Sequence, residues 1–148
     1  MSNLDLNLNV LPEGTVISSG TLRTQDLLRA VNNQWERCIN YACARNIKPA
    51  FGRDNYDDDT ETISALADLA DQQRAVMRDE VYPVLKMYDW LENDSPLASL
   101  INEPELHEFA SSLLEDVCAA LQQFAPDGCY VGMHEGDGSL LGVWRAED

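Results

Sequence analysis

Between Leu106 and Phe124 the apolar residues Leu106, Phe109, Leu113, Val117, Leu121 and Phe124 recur at helical spacing, and Ala125-Pro126-Asp127-Gly128 then ends the pattern. A stripe of about five turns commits this segment to an amphipathic helix, capped at Asn102, and the rest of the chain must supply the surface it packs on. Two other stretches can do so. Thr24 is an N-cap and Asp26 suits the positive helix start, so Leu27, Val31, Trp35, Ile39 and Ala42 predict a helix from Thr24 to about Asn46. Near Thr60 a second begins, with Ile63, Leu66, Ala70, Met77 and Val81 as its inner face, and Pro83 predicts a kink or break near Val81-Tyr82 before the pattern resumes through Leu85, Tyr88 and Leu91. Asn93-Asp94-Ser95-Pro96 is a turn that opens a short helical piece, Leu97 to Ile101.

After Gly128 two short runs, Cys129 to His134 and Ser139 to Arg145, joined through Glu135-Gly136-Asp137-Gly138, predict a β-hairpin. An isolated hairpin is marginal in water, which makes the β-branched Thr15 to Ser18 a candidate third strand. The expected fold is α+β: a mainly helical body of three longer helices plus a short one, with a carboxy-terminal β-hairpin that a third antiparallel strand can complete. A length of 148 residues suits a single domain, 1–148, with the Asn-rich residues 1–14 read as a loose amino-terminal arm.

Charge is unevenly spread. The 26 acids against 10 bases leave a net charge of −16. Residues 1–53 are net +2, residues 54–116 net −14 and residues 117–148 net −4. On the second helix Glu61, Asp68, Asp71 and Asp79 fall opposite the apolar face, and Asp57, Asp58 and Asp59 extend the line at its start; Glu61 to Asp79 alone spans roughly 27 Å. Glu105, Glu108 and Glu115, with Glu103 and Asp116, form a second acidic strip on the last helix. A row of carboxylates on a stiff support resembles the charge layout of a nucleic-acid backbone and fits the basic channel of a protein that binds DNA or RNA; a well-solvated face that aids solubility is the simpler alternative.

The same charge argues against direct nucleic-acid binding and against an anionic membrane surface, and no run of 18 apolar residues is present. The start, MSNLDLNLNVLPEG, lacks the basic and apolar regions of a secretory signal. Cys38, Cys43, Cys118 and Cys129 show no C-x-x-C or framework spacing and read as buried free thiols, so the expected compartment is the reducing cytoplasm.

Chemistry-bearing clusters are few. Asp57, Asp59, Glu61 and Asp68 match positions of a calcium-binding EF-hand loop, but Thr62 stands where the sharp turn needs Gly, and no metal or cofactor is expected. His134, Glu135 and Asp137 crowd with Ser139 at the hairpin tip, the one candidate centre for an enzyme, although a tight turn needs Gly and Asp for backbone reasons alone. No nucleotide-binding glycine motif, nucleophile elbow or zinc-protease signature occurs. Arg23, Arg29, Arg37, Arg45, Lys48 and Arg53 gather around the first helix, where they can pair with acidic strips in the fold or across a homodimer.

Two stretches, Gly20-Thr21-Leu22-Arg23 with Asp26-Leu27-Leu28, and Phe124-Ala125-Pro126-Asp127-Gly128-Cys129-Tyr130-Val131-Gly132-Met133-His134-Glu135-Gly136-Asp137-Gly138-Ser139 with Gly142 and Trp144, together resemble a group of small acidic phage, prophage and mobile-element proteins. The resemblance covers under a third of the chain, leaves out the acidic middle, and assigns no activity to residues. It implies a setting, in which small acidic phage proteins act on host machinery. The expectation is therefore a non-enzymatic protein of the host cell cytoplasm that inhibits a basic nucleic-acid-binding protein or a defence complex, CRISPR among them, by mimicry. The alternatives are an enzyme at the hairpin tip and a homo-oligomeric accessory protein. Beside the resemblance, Gly132 and Gly142 read as positions of close approach, flanked by Tyr130 and Trp144.

Overall fold

A computed structural model describes residues 8–21, 23–47, 60–134 and 136–146. Its elements run β1 (Val16–Ser19), α1 (Thr24–Ile47), α2 (Thr60–Val76), a π-helical turn (Met77–Val81), α3 (Tyr82–Glu92), a 3-10 turn (Pro96–Leu100), α4 (Glu103–Gln122), β2 (Cys129–His134) and β3 (Asp137–Arg145). The fold is α+β, a helical body with a three-stranded antiparallel sheet in the order β1-β3-β2.

Helix α1 is the central element and packs on α4, α2 and β1. Its Leu28, Val31, Cys38 and Ala42 are fully buried, and they meet Leu113, Val117 and Leu121 of α4 and Leu141 and Val143 of β3 in one core. Asn102 caps α4, its side-chain oxygen accepting from the Glu105 amide at 3.3 Å, and Glu103 and Glu105 lie at the positive end of the helix dipole. The inward line of α4 is Leu106, Ala110, Leu113, Val117 and Leu121, so Phe109 does not belong to it: that ring is 48% exposed while Ala110 takes the buried position. Apolarity favours Phe over Ala, but position 110 follows Leu106 by the four-residue step that stays on the inner face.

Pro83 does not break the second helix. The chain widens to a π turn over Met77–Val81, where the Tyr82 amide reaches back to the Met77 carbonyl, and α3 continues with Pro83 in its first turn, where no amide is needed. That insertion resets the helical register between α2 and α3. On α2 the polar Gln73 is 5% exposed, while the expected core residue Ile63 is 45% exposed. Arg23 pairs with Glu92, and Gln25 also donates to Glu92, tying the start of α1 to the end of α3.

Residues 8–14 are not a loose arm. Leu11 is 1% exposed, its amide donates to the Phe124 carbonyl at 3.0 Å, and the Gly14 amide donates to Val143. Arg45 on α1 also donates to the Asn9 carbonyl. The apolar Leu8, Val10 and Leu11 outweigh the asparagines between them because Leu11 joins the core and Leu8 and Val10 pack against it.

In the hairpin, Tyr130 faces Trp144 and Gly132 faces Gly142 across β2 and β3. Strand β3 begins at Asp137, two residues before the expected Ser139, so the turn is tighter than the sequence suggests. Strand β1 is irregular between Val16 and Ser18. Beside it a Cβ on Gly142 would lie 2.2 Å from the Thr15 carbonyl oxygen and 2.7 Å from the Trp144 ring, so no larger residue fits there without displacing backbone.

Candidate functional site

Expected site residues fall into three places. On α2 and the π turn, Glu61, Asp68, Asp71 and Asp79 are all exposed, as their wheel positions require. Two of them are already engaged. Arg74 donates to Asp71 at 2.9 Å, and Arg78 makes a two-pronged contact with Asp79 at 2.8 and 3.0 Å, which holds the Asp79 carboxyl below its ordinary range. These arginines come from the same helical run, not from α1. Asp57, Asp58 and Asp59 lie outside the described residues. The α2 row is therefore a mixed strip in which only Glu61 and Asp68 have no arginine or lysine paired with them among the described residues.

The last helix differs. Helix α4 contains no lysine or arginine, and Glu105, Glu108, Glu115 and Asp116 are all exposed. At 100° per residue these four fall within about a quarter to a third of a turn, opposite the line of Leu106, Ala110, Leu113 and Val117. From Glu105 to Asp116 the axis advances about 16 Å, so the four charges are spaced about 5.5 Å apart on average, against about 3.4 Å per charge along one strand of B-form DNA. Glu103 stands apart beside His107, 3.9 Å from its ring.

At the hairpin tip His134 is occupied by the fold. Its Nδ1 accepts the Gly136 amide at 2.9 Å, and its ring stands edge-on to Trp144 with centroids 4.7 Å apart. Trp144 in turn donates from its indole nitrogen to the Gly132 carbonyl at 2.9 Å. Glu135 and the Asp137 side chain lie outside the described residues. Among the described residues no group of His, Cys, Asp and Glu side chains could hold a metal ion, and no helix is long and apolar enough to cross a membrane.

Two features were not legible in the sequence. Tyr88, buried on α3, hydrogen-bonds His107 Nδ1 across to α4 at 2.7 Å, and burial followed by the nearby Glu103 charge raises its phenol above the usual value. A raised phenol is a poor nucleophile, and the contact serves as a clasp between the two helices. The second is a groove of about 430 Å³ between α3 and the 3-10 turn and start of α4. Its apolar wall includes Met87, Trp90, Leu100 and Phe109, and Asp79, Glu80 and Glu105 stand on its rim. Leu100 is 78% exposed, and the Phe109 that the periodicity placed in the core is here part of an open apolar surface. A further hollow of about 520 Å³ lies between α4 and β2, beside Cys118, Val131, Gly132 and Met133.

The four cysteines are free, Cys38 and Cys129 buried and Cys43 and Cys118 half-buried. Burial pushes the Cys38 and Cys118 thiols up to about 11, the opposite of what a nucleophilic or redox-active thiol needs. Comparison with family models, with curated proteins and with solved structures finds no match to this chain.

Proposed function

We propose that this chain is a non-enzymatic acidic interaction protein, encoded by a phage or mobile element, that inhibits a basic nucleic-acid-binding host protein or defence complex, such as a CRISPR effector, by occupying its nucleic-acid channel. The observation that supports this reading best is the outer face of α4. Glu105, Glu108, Glu115 and Asp116 share one exposed face there, on a helix without a single compensating lysine or arginine. The contact surface moves accordingly from the α2 row to α4, with Glu61 and Asp68 as supporting charges. The resemblance to small phage proteins supports the setting. The occupied ring of His134 and the raised thiols favour binding over catalysis.

The experiment is a comparison of two tagged proteins, the natural chain and a Glu105→Lys/Glu108→Lys/Glu115→Lys/Asp116→Lys variant, used to capture partners from a bacterial host lysate at low and high salt. All four positions are exposed, so circular dichroism of the variant stays native. The natural chain should retain a basic nucleic-acid-binding protein, release it as salt rises, and lose it entirely on charge reversal. Equal capture by the variant would overturn the reading.

A further inference from the structure

The groove between α3 and the α4 start has a composition that a solubilising surface does not need. Exposed apolar surface costs solubility, yet Leu100 and Phe109, 78% and 48% exposed, stand side by side with the rings and thioether of Trp90 and Met87. Its charged rim residues are all acidic. Asp79 shares its charge with Arg78, but among the described residues no arginine or lysine pairs with Glu80 from the π turn or Glu105 from α4. Apolar floor and acidic rim together select an occupant that is apolar on one face and basic on its flanks.

Backbone chemistry narrows the occupant further. The groove lies between helices, away from the free edges of the sheet at β1 and β2, so an extended peptide would find no ladder of amides and carbonyls to pair with. A helix brings its own backbone hydrogen bonds and offers side chains alone. We propose that this groove docks a basic amphipathic α-helix of the protein partner, with apolar anchors at i, i+3 or i+4 and i+7 seated on Leu100, Trp90 and Phe109, and with lysine or arginine on its flanks reaching Glu80 and Glu105. The inference rests on the reading of this chain as a binder of basic proteins and adds to it a defined second contact. Charge on α4 steers and orients the partner, and the groove supplies the apolar anchoring that charge alone lacks.

The test uses the full chain and two synthetic peptides of one composition. One has leucines at i, i+4, i+7 and i+11 among arginines and alanines; the other is a scrambled order with the same charge and no apolar face. Binding is followed by fluorescence anisotropy, and the site by amide chemical-shift mapping. The amphipathic peptide should bind at least tenfold more tightly than the scrambled one and shift resonances of Trp90, Leu100 and Phe109. Leu100→Ser/Phe109→Ser, which alters exposed side chains only, should remove that preference, and Glu80→Gln/Glu105→Gln should weaken the amphipathic peptide by about tenfold, whereas Glu36→Gln/Asp127→Asn, exposed and away from both the groove and the acidic face of α4, should leave the preference intact. Equal affinity for both peptides overturns the groove and leaves the acidic-surface reading standing; binding of neither overturns both. A homodimer that Leu100→Ser dissociates in sedimentation, with no peptide bound at the groove, would assign the surface to a second copy and so refute the proposal.

Discussion

Gly142 and Gly132 face each other across the hairpin, and replacing each with alanine should have opposite consequences. At Gly142 the new methyl would lie 2.2 Å from the Thr15 carbonyl oxygen, a backbone atom held in place because it accepts the Val143 amide at 2.9 Å. Relief requires β1 to move off β3, which also endangers the Gly14 amide bond to the Val143 carbonyl at 2.8 Å. Overpacking of this kind costs about 1–3 kcal/mol, and two weakened backbone hydrogen bonds add about 1 kcal/mol each, for about 3–5 kcal/mol in all. Against a domain stability of about 5–15 kcal/mol that is a large fraction. At Gly132 the methyl would meet only the Tyr130 ring at 3.6 Å, an ordinary contact, and alanine there should be neutral within about 1 kcal/mol. Urea denaturation followed by circular dichroism separates the two: with a slope near 2 kcal/mol per molar, Gly142→Ala lowers the midpoint by about 2 M and Gly132→Ala barely moves it. Equal midpoints for the two variants would refute the close approach of β1.

Leu11→Ala should cost about 2–4 kcal/mol in the same urea assay because the side chain is almost wholly enclosed, and a change under about 0.5 kcal/mol would restore the loose arm. His134→Ala removes the edge contact with Trp144 and the acceptor for Gly136, and should cost about 1–2 kcal/mol while leaving partner capture unchanged; loss of capture with a native spectrum would implicate the hairpin tip in function. The Cys38 and Cys118 thiols, moved by burial from 9.0 to about 11, hold their protons more tightly in the folded chain than in the unfolded one. Their contribution to stability is therefore complete below pH 9 and lost between pH 9 and pH 11, so urea midpoints should fall across that window, and a flat profile would contradict their burial.

Much of the fold was readable because helix periodicity and turn chemistry are local properties. Helices begin at Thr24 and Thr60 and Asn102 caps the last, before Pro126 and Gly128, as spacing and turn chemistry require, although Thr24 is the first helical residue and not the cap, since the Arg23 carbonyl accepts the Leu27 amide. The misreadings arise where a tertiary contact decides. Phe109 and Ile63 are apolar but sit off the inner line, while Ala110 and Gln73 sit on it, and only the direction of the neighbouring helix separates them. Pro83 announces a disturbance without specifying a π turn over a kink. Leu8, Val10 and Leu11 were hidden among asparagines, because the core they join is built from distant segments; the Leu11 amide bonds the Phe124 carbonyl, more than a hundred residues away in the chain. As for the candidate site, the carboxylates were visible at once, but which of them Arg74 and Arg78 engage depends on side-chain geometry. The groove joins Asp79, Trp90 and Glu105 from three elements, and nothing in their order along the chain brings them together.

Occupation of a nucleic-acid channel excludes the nucleic acid itself. The nucleic-acid-binding protein captured by this chain is purified, loaded with a fluorescent copy of its own nucleic acid, and titrated with the acidic protein while anisotropy reports the bound fraction. Occupation of the same channel predicts complete displacement, with an apparent affinity that falls as nucleic acid is added and that vanishes in the Glu105→Lys/Glu108→Lys/Glu115→Lys/Asp116→Lys variant. A stable ternary complex, with nucleic acid and acidic protein bound to the partner together, would contradict it.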